Sequence, residues 1–88
     1  MSSSIPNGTY KSEQYTDKRL PGTVAVSTAV VSGTHLTLTT VMNGTNVVNR
    51  GDYQINGGRL TLAGESYSFN IGTNGFSLDG VWFVKSEY

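Results

Sequence analysis

Apolar and polar residues alternate along most of the chain, and short turn sequences interrupt the alternation at regular intervals. Alternation with a period of two is typical of β-strands that bury one face. The interruptions are rich in glycine, asparagine and aspartate, which favour tight turns. They are Ser32-Gly33, Asn43-Gly44, Asn56-Gly57-Gly58, Ala63-Gly64, Gly72-Thr73-Asn74-Gly75 and Asp79-Gly80. The pattern therefore predicts an all-β fold, a single small meander of antiparallel strands.

The length of each loop fixes the register of its hairpin, because a slip of one residue moves every side chain to the other face. The loops assigned from the sequence are Ser32–Thr34, Asn43–Asn46, Gly57–Gly58, Ala63–Ser66, Gly72–Gly75 and Asp79–Gly80. These lengths collect the large apolar residues on one shared inner face. The predicted inner face is Val24, Val26, Val30, Leu36, Leu38, Met42, Val47, Tyr53, Ile55, Leu60, Leu62, Tyr67, Phe69, Ile71, Phe76, Leu78, Val81 and Phe83.

The number of strands favours a closed barrel. A strand near residues 8–15 brings the total to about seven or eight, at which side chains just fill a barrel. Pairing that strand with the last one, over residues 81–87, would close the sheet and remove its edges. A two-sheet sandwich uses the same meander with different bends and stays open as an alternative. We expect residues 1–7 to form a flexible N-terminal segment and residues 8–88 to form one β-barrel domain.

The size of the inner residues bears on function. Tyr53, Tyr67, Phe69, Phe76 and Phe83 are large enough to predict a barrel that is filled by its own side chains. Function would then reside on the outer surface. A cavity of roughly 300 Å³ or more, the size of a small-molecule site, would contradict this prediction.

Charge and composition exclude several functional classes. Six Lys and Arg balance six Asp and Glu with no run of one sign, so we expect no nucleic-acid partner. The apolar runs are too short to span a membrane, and no basic amphipathic helix is predicted, so no membrane partner is expected. The chain has no cysteine and therefore no disulfide. The residues after Met1 lack the apolar stretch of a signal peptide. We therefore expect either a cytoplasmic protein or a secreted protein whose leader has been removed.

Residues with potential catalytic or metal-binding chemistry are few. His35 is the only histidine and has no nucleophile motif near it in the sequence. Asp79 is explained as the first residue of a turn, while Asp52 and Glu65 are too sparse for a calcium loop. We expect no enzyme, no metal site and no cofactor.

Several segments along the chain have sequences similar to those of one known class of β-barrel. They are Gly8-Thr9-Tyr10, residues 33–38, the run from Gly51 to Leu62, Tyr67-Ser68-Phe69 and the strand from Val81 to Val84. Together they resemble the small bacterial lipocalin-like, or calycin-like, β-barrel domains. The resemblance implies a barrel and, as one function, the carriage of a small apolar ligand.

A second local resemblance concerns Ile71-Gly72-Thr73, which precedes the C-terminal strands. The segment resembles the Ile-Gly-Thr segment of staphostatin-like protease inhibitors. The resemblance implies that Ile71, Gly72 and Thr73, followed by Asn74, contact a partner protein. The same residue types also suit an ordinary hairpin loop, so both interpretations stay open.

Two apolar residues of the last strand are predicted to point outward. The register that buries Val81 and Phe83 exposes Trp82 and Val84, and Val41 and Val48 also face outward. A contiguous exposed apolar patch marks an interface, and Trp is enriched in binding hot spots. Alternatively, the N-terminal segment covers Trp82. Residues 71–74, Trp82 and Val84 form the predicted protein-binding site.

These observations together predict a non-catalytic binding domain that engages another protein as an inhibitor or an adaptor, or that self-associates. Two alternatives stay open. The first is a lipocalin-like carrier of a small apolar ligand, and the second is a structural subunit of a phage or cell-surface assembly.

Overall fold

The computed structural model of the chain describes residues 4–16 and 22–86, which form strands and turns. The strands are β1 (Gly8–Ser12), β2 (Tyr15–Thr16), β3 (Val24–Ser32), β4 (His35–Met42), β5 (Thr45–Asp52), β6 (Gln54–Asn56), β7 (Arg59–Leu62), β8 (Glu65–Ile71), β9 (Gly75–Leu78) and β10 (Val81–Lys85). The prediction of an all-β fold is confirmed. Residues 1–3 of the predicted flexible segment and Glu87 of the predicted last strand lie outside the described residues. None of the described residues forms a helix with the length and apolar character needed to cross a bilayer.

The strands make one antiparallel sheet that is nearly closed into a barrel. Its order is β5-β4-β3-β1-β10-β9-β8-β7-β6, with β2 paired to the start of β3. The first and last strands pair as predicted, with Tyr10 opposite Lys85. Strands β5 and β6, at the two ends of this order, follow each other in the chain with only Tyr53 between them. The barrel alternative is therefore the one adopted, although β5 keeps one edge without a paired strand among the described residues.

Three hairpins have the predicted register. Their opposed residues include Ile55 with Leu60, Phe69 with Leu78, and Phe76 with Phe83. Two other loops are shorter than predicted, because Asn43-Gly44 and Ala63-Gly64 form two-residue turns. All four of these turn residues have positive φ, as a type I′ turn requires. Each shift is an even number of residues, so the predicted face stays inside.

The prediction is wrong for β3, whose face is reversed. Gly33 and Thr34 form a two-residue turn that sets Ser32 opposite His35. Gly33 has a φ of +61°, which suits the first central position of a type II′ turn. The predicted loop was one residue longer, and an error of one residue exchanges the two faces. Consequently the predicted inner residues Val24, Val26 and Val30 face outward, and the inner residues are Ala25, Ser27, Ala29 and Val31.

Two further residues of the predicted inner face are exposed. Val47 and Ile71 lie on inward-facing positions of their strands, but near the ends of the barrel, where 44% and 59% of their surfaces are accessible. The remaining predicted inner residues are buried or half-buried. Position along the barrel axis therefore decides burial together with the face of the strand.

The centre of the barrel is a cluster of aromatic rings. Tyr10 meets Phe76 edge to face with ring centroids 5.0 Å apart, and Phe83 stacks on Phe76 at 5.2 Å. Both arrangements are favoured geometries for aromatic pairs. Ala29, opposite Tyr10 in the neighbouring strand, is small and leaves room for the tyrosine ring. The cluster separates the two ends of the barrel, which differ in construction.

Candidate functional site

One end of the barrel, named here the closed end, is covered by residues 4–7, of which Ile5 is buried. Ile5 is 2% exposed and packs in the core. Its amide donates a hydrogen bond of 2.8 Å to the hydroxyl of Tyr53, and the amide of Gly33 donates at 2.8 Å to Asn7 Oδ1. These residues belong to the segment that the sequence predicts to be flexible. Here a buried side chain and paired backbone donors hold them against the barrel.

Tyrosine hydroxyls satisfy the polar groups at the closed end. The hydroxyl of Tyr10 donates to the carbonyl oxygen of Pro6 at 2.6 Å. Burial, assisted by the neighbouring Tyr53, raises the pKa of the Tyr10 phenol, so the neutral, donating form is favoured. The amide of Tyr53 donates to the Thr34 carbonyl at 2.9 Å. The closed end is thus apolar inside and hydrogen-bonded at its rim.

The opposite end, named here the open end, contains a cavity of about 510 Å³. Its apolar walls come from strands on both sides of the barrel: Leu38, Met42, Val47, Leu78, Val81 and Phe83. The prediction of a barrel filled by its own side chains is therefore wrong at this end. The cavity falls within the size range of small-molecule sites.

The reversed face of β3 explains why this space exists. Ser27 lines the cavity, where the predicted register would have placed a valine. Ala25 is the next inward residue towards the same end of the strand and is also small. Two small residues in succession leave a volume that valine side chains would have occupied. The sequence feature responsible is the two-residue turn at Gly33.

A chain of three hydroxyl groups crosses one wall of the cavity. The hydroxyl of Tyr15 lies 2.7 Å from Ser27 Oγ, which lies 2.9 Å from Thr40 Oγ1. Ser27 is 1% exposed, and its amide donates to Ser12 Oγ at 2.8 Å. Three hydroxyls supply three O–H donors, and the two bonds between them use two. When all bonds run in one direction, the third donor falls on Tyr15 or Thr40, both of which line the cavity.

The cavity opens along the gap between β5 and β8. Asn49 of β5 donates from Nδ2 to the Tyr67 hydroxyl of β8 at 3.2 Å, which bridges this gap. Glu65, Ser66 and Asp79 complete the lining on the far side. Asp79 Oδ1 accepts a hydrogen bond from the Ser68 amide at 2.8 Å, so its carboxylate is held by the neighbouring hairpin. A ligand entering here would meet polar groups at the rim and apolar groups below.

The residues of the predicted protein-binding site lie together near the closed end. A Cβ added to Gly72 would come within 2.9 Å of the Trp82 ring, so this ring lies against the loop. Val84 lies opposite Gly75, and the Lys85 amide donates to the Asn74 carbonyl at 2.8 Å. Residues 71–74 also line a second depression, of about 340 Å³, with Ile5 and Pro6.

The outward orientation of Trp82 and Val84 is confirmed, since both are more than half exposed. The alternative in which the N-terminal segment covers Trp82 is not found for residues 4–7, because Ile5 packs inside the barrel. Val41 and Val48 also face outward as predicted. The strand β10 therefore carries an exposed apolar surface.

The remaining chemical candidates are isolated. His35 Nδ1 lies 3.9 Å from Asp52 Oδ1, and both side chains are at least half exposed. Within residues 4–16 and 22–86, no group of three or more His, Asp or Glu could hold a metal ion. His35 and Asp52 form a weak surface pair, of the kind that contributes about 0–1 kcal/mol to stability.

Sequence reasoning missed Tyr15, Ser27 and Thr40, which supply the most distinctive polar feature of the cavity. Small residues alternate at Ala25, Ser27 and Ala29, and this alternation could have indicated an inner face with space beside it. The valines at the even positions of β3 are more hydrophobic than these small residues, so the even positions were assigned to the inner face.

Comparison with known proteins adds no functional assignment. No family model, curated protein or solved structure matches the chain. The functional argument therefore rests on the geometry of the two ends of the barrel.

Proposed function

We propose that this chain is a non-catalytic binding barrel that takes a small, largely apolar molecule with at least one hydrogen-bonding group into its open end. The observation that carries the proposal is the cavity of about 510 Å³, with apolar walls and a hydroxyl chain on one side. Sites for small molecules combine apolar side chains with placed polar groups, and this cavity has apolar residues beside hydroxyl, amide and carboxylate groups.

Each part of the lining has a distinct role in the proposal. Leu38, Leu78 and Phe83 would remove apolar ligand surface from water, which stabilises a complex by about 25 cal/mol per Å² before the costs of association. The donor left over on Tyr15 or Thr40 would bond an acceptor of the ligand and fix its orientation. A ligand without a polar group would leave that donor unpaired in a partly buried site, at a cost of about 1–3 kcal/mol.

A fluorescent probe of this chemistry tests the proposal. Prodan is neutral and largely apolar and carries one carbonyl oxygen that accepts a hydrogen bond, which matches the spare donor on Tyr15 or Thr40, and we expect saturable binding at one site with enhanced emission. Val81 and Val84 provide a matched pair on β10, because Val81 lines the cavity and Val84 faces outward. Val81→Trp should fill the cavity and weaken binding at least tenfold, whereas Val84→Trp should bind as the wild type does.

Two results would overturn the proposal: no saturable binding by the folded wild type, or equal binding by both variants. Circular dichroism of each variant confirms that the comparison is made between folded proteins. Native mass spectrometry of freshly purified protein provides an independent measurement, in which a retained small molecule adds to the mass of the chain.

A second candidate function is contact with another protein, including protease inhibition, at Trp82, Val84 and residues 71–74. The observation that favours it is the exposure of Ile71, Trp82 and Val84 beside a loop that lies against the Trp82 ring. Large aromatic residues at such positions commonly dominate binding energy.

Titration of serine and cysteine proteases with the protein tests this second candidate. Inhibition that weakens at least tenfold in Trp82→Ala would support it, since loss of a hot-spot residue costs about 2 kcal/mol or more. Absence of inhibition, or equal inhibition by the variant, would count against the inhibitor form of the candidate.

A further inference from the structure

The charges of the chain are distributed unevenly. All six basic and all six acidic residues lie outside residues 20–49, which contain His35 as their only titratable side chain. This uncharged stretch includes all of β3, all of β4 and the first five residues of β5. These three strands are neighbours in the sheet, so the uncharged stretch becomes one continuous surface.

The outer face of this surface is covered by β-branched side chains. It includes four valines that are about half exposed, and threonines lie between them in the paired strands: Val24, Val30, Val41, Val48, Thr28, Thr37 and Thr39. A single exposed valine is normal on a soluble protein, whereas this contiguous patch extends without a charged residue to the strand at the end of the sheet order, β5. We name this outer face the valine–threonine face.

The valine–threonine face ends at an unpaired strand edge. Within residues 4–16 and 22–86, β5 pairs with β4 and occupies one end of the strand order. Residues 45–48 are all exposed, including Val47 on one side of the sheet and Val48 on the other. Proteins usually protect an edge with lysine, proline or an early bulge. Residues 45–49 have no such protection, since Arg50 and Gly51 come only afterwards.

We propose that the β5 edge binds the same edge of a second copy of this chain, in antiparallel orientation about a two-fold axis. Unpaired backbone donors and acceptors of a strand are matched by another strand. Residues 45–49 of this edge carry no charge that would select a charged partner or repel an identical copy, and the whole chain has a formal net charge of zero. Every copy presents the same edge, and a two-fold arrangement satisfies both at once.

The two-fold arrangement makes a specific prediction for Val48. Antiparallel pairing joins residues that face the same side of the sheet. Val48 lies near the middle of the edge on the outer side, so the Val48 side chains of the two copies come close together. Like charges introduced there would repel, and opposite charges would attract.

Sedimentation velocity of the full chain and of charged variants tests the proposal. We expect the wild type to form a dimer as its concentration rises. Val48→Lys and Val48→Glu should each raise the dimer dissociation constant at least tenfold, and an equimolar mixture of the two should restore dimers. Val30→Lys is the matched control, because Val30 lies on the same outer face but two strands from the edge, and it should dimerise as the wild type does.

Three results would overturn the proposal. The first is a wild type that stays monomeric up to millimolar concentration. The second is an equal loss of dimer in Val30→Lys and Val48→Lys, which would indicate that the face and not the edge makes the contact. The third is a mixture of folded lysine and glutamate variants that fails to associate. The β5 edge borders the cavity opening, whereas Val48 lies outside the cavity lining. Probe binding by the monomeric Val48→Lys variant therefore checks the proposed function in the absence of the dimer contact.

Discussion

The two ends of the barrel are built from the same strands but differ in what fills them. At the closed end, Ile5 enters the barrel and its amide pairs with the Tyr53 hydroxyl. At the open end, Ser27 and Thr40 occupy inward positions, and their hydroxyls pair with each other beside an empty volume. The barrel architecture is common to both ends, so the identity of a few inward residues decides whether an end becomes core or cavity.

The comparison indicates that the closed end contributes mainly to stability and that the open end contributes mainly to binding. Burial of apolar side chains stabilises the closed end, and truncation of a side chain there leaves a cavity in the packed core. The open end already contains space, so changes in its lining should alter the cavity more than the stability. The following variants test this division at one end or the other.

Gly75→Ala should produce the largest effect. A Cβ at this position would lie 1.8 Å from the Phe83 carbonyl oxygen, so the backbones of β9 and β10 must separate. We expect the free energy of unfolding to fall by at least about 3 kcal/mol, measured by urea denaturation. Gly72→Ala is the control, because its added Cβ is crowded only by the Trp82 ring, which can rotate, and meets the Gly75 carbonyl oxygen at an ordinary contact distance of 3.6 Å. Equal losses in both variants would contradict the close approach at Gly75.

Ile5→Ala should weaken the closed end by about 2 kcal/mol or more, because it removes buried methyl groups and leaves a cavity. The exposed neighbour Ser4 supplies the control, and Ser4→Ala should change stability by less than about 0.5 kcal/mol. Thermal unfolding measures both. A small effect of Ile5→Ala would mean that residues 4–7 contribute little to the closed end in solution.

Removal of one hydroxyl at each end gives a direct comparison. Tyr53→Phe leaves the buried amide of Ile5 without its acceptor, and we expect a loss of about 1–2 kcal/mol. Tyr15→Phe removes a hydroxyl that lines the cavity, where water can replace it, so the loss should stay below about 1 kcal/mol. Affinity for prodan should fall in Tyr15→Phe alone. The reverse pattern would reject the division between the two ends.

The smallest effect concerns the turn between β7 and β8. Ala63 has a φ of +50°, a conformation that costs an L-residue other than glycine, asparagine or aspartate about 1 kcal/mol. Ala63→Asn should therefore raise the free energy of unfolding by about 0.5–1 kcal/mol. Asn43 occupies the equivalent position of the β4–β5 turn, and Asn43→Ala should lower it by a similar amount. Unchanged stability in both would indicate that these turns relax at no cost.

The sequence predicted the fold through its turns. Gly57-Gly58 and Asp79-Gly80 are two-residue turns whose length is evident from their composition, and they set the registers around them. The errors at Asn43 and Ala63 were even numbers of residues and left the inner face unchanged. At Gly33 the preceding serine suggested a loop that began one residue too early, and that odd error reversed β3.

The candidate site was less predictable because it depends on that one strand. In the predicted register of β3, valines occupy the space in which Ser27 bonds to Thr40, and the barrel is expected to be filled. The burial of Ile5 had no local signal, since one apolar residue among serines does not specify a contact with Tyr53. The outward positions on β10 were predictable because the loops at residues 72–75 and 79–80, which set the registers of β8 with β9 and of β9 with β10, were both assigned correctly.

The pairing of β1 with β10 joins the two most distant strands of the sequence. Loop-closure entropy opposes such a contact until most of the chain is already ordered. Refolding should therefore be slow for a domain of this size, in the millisecond-to-second range found for folds with many non-local pairings. Until that last step, β1 and β10 each present an open strand edge, so the partly folded chain is the species most prone to aggregate.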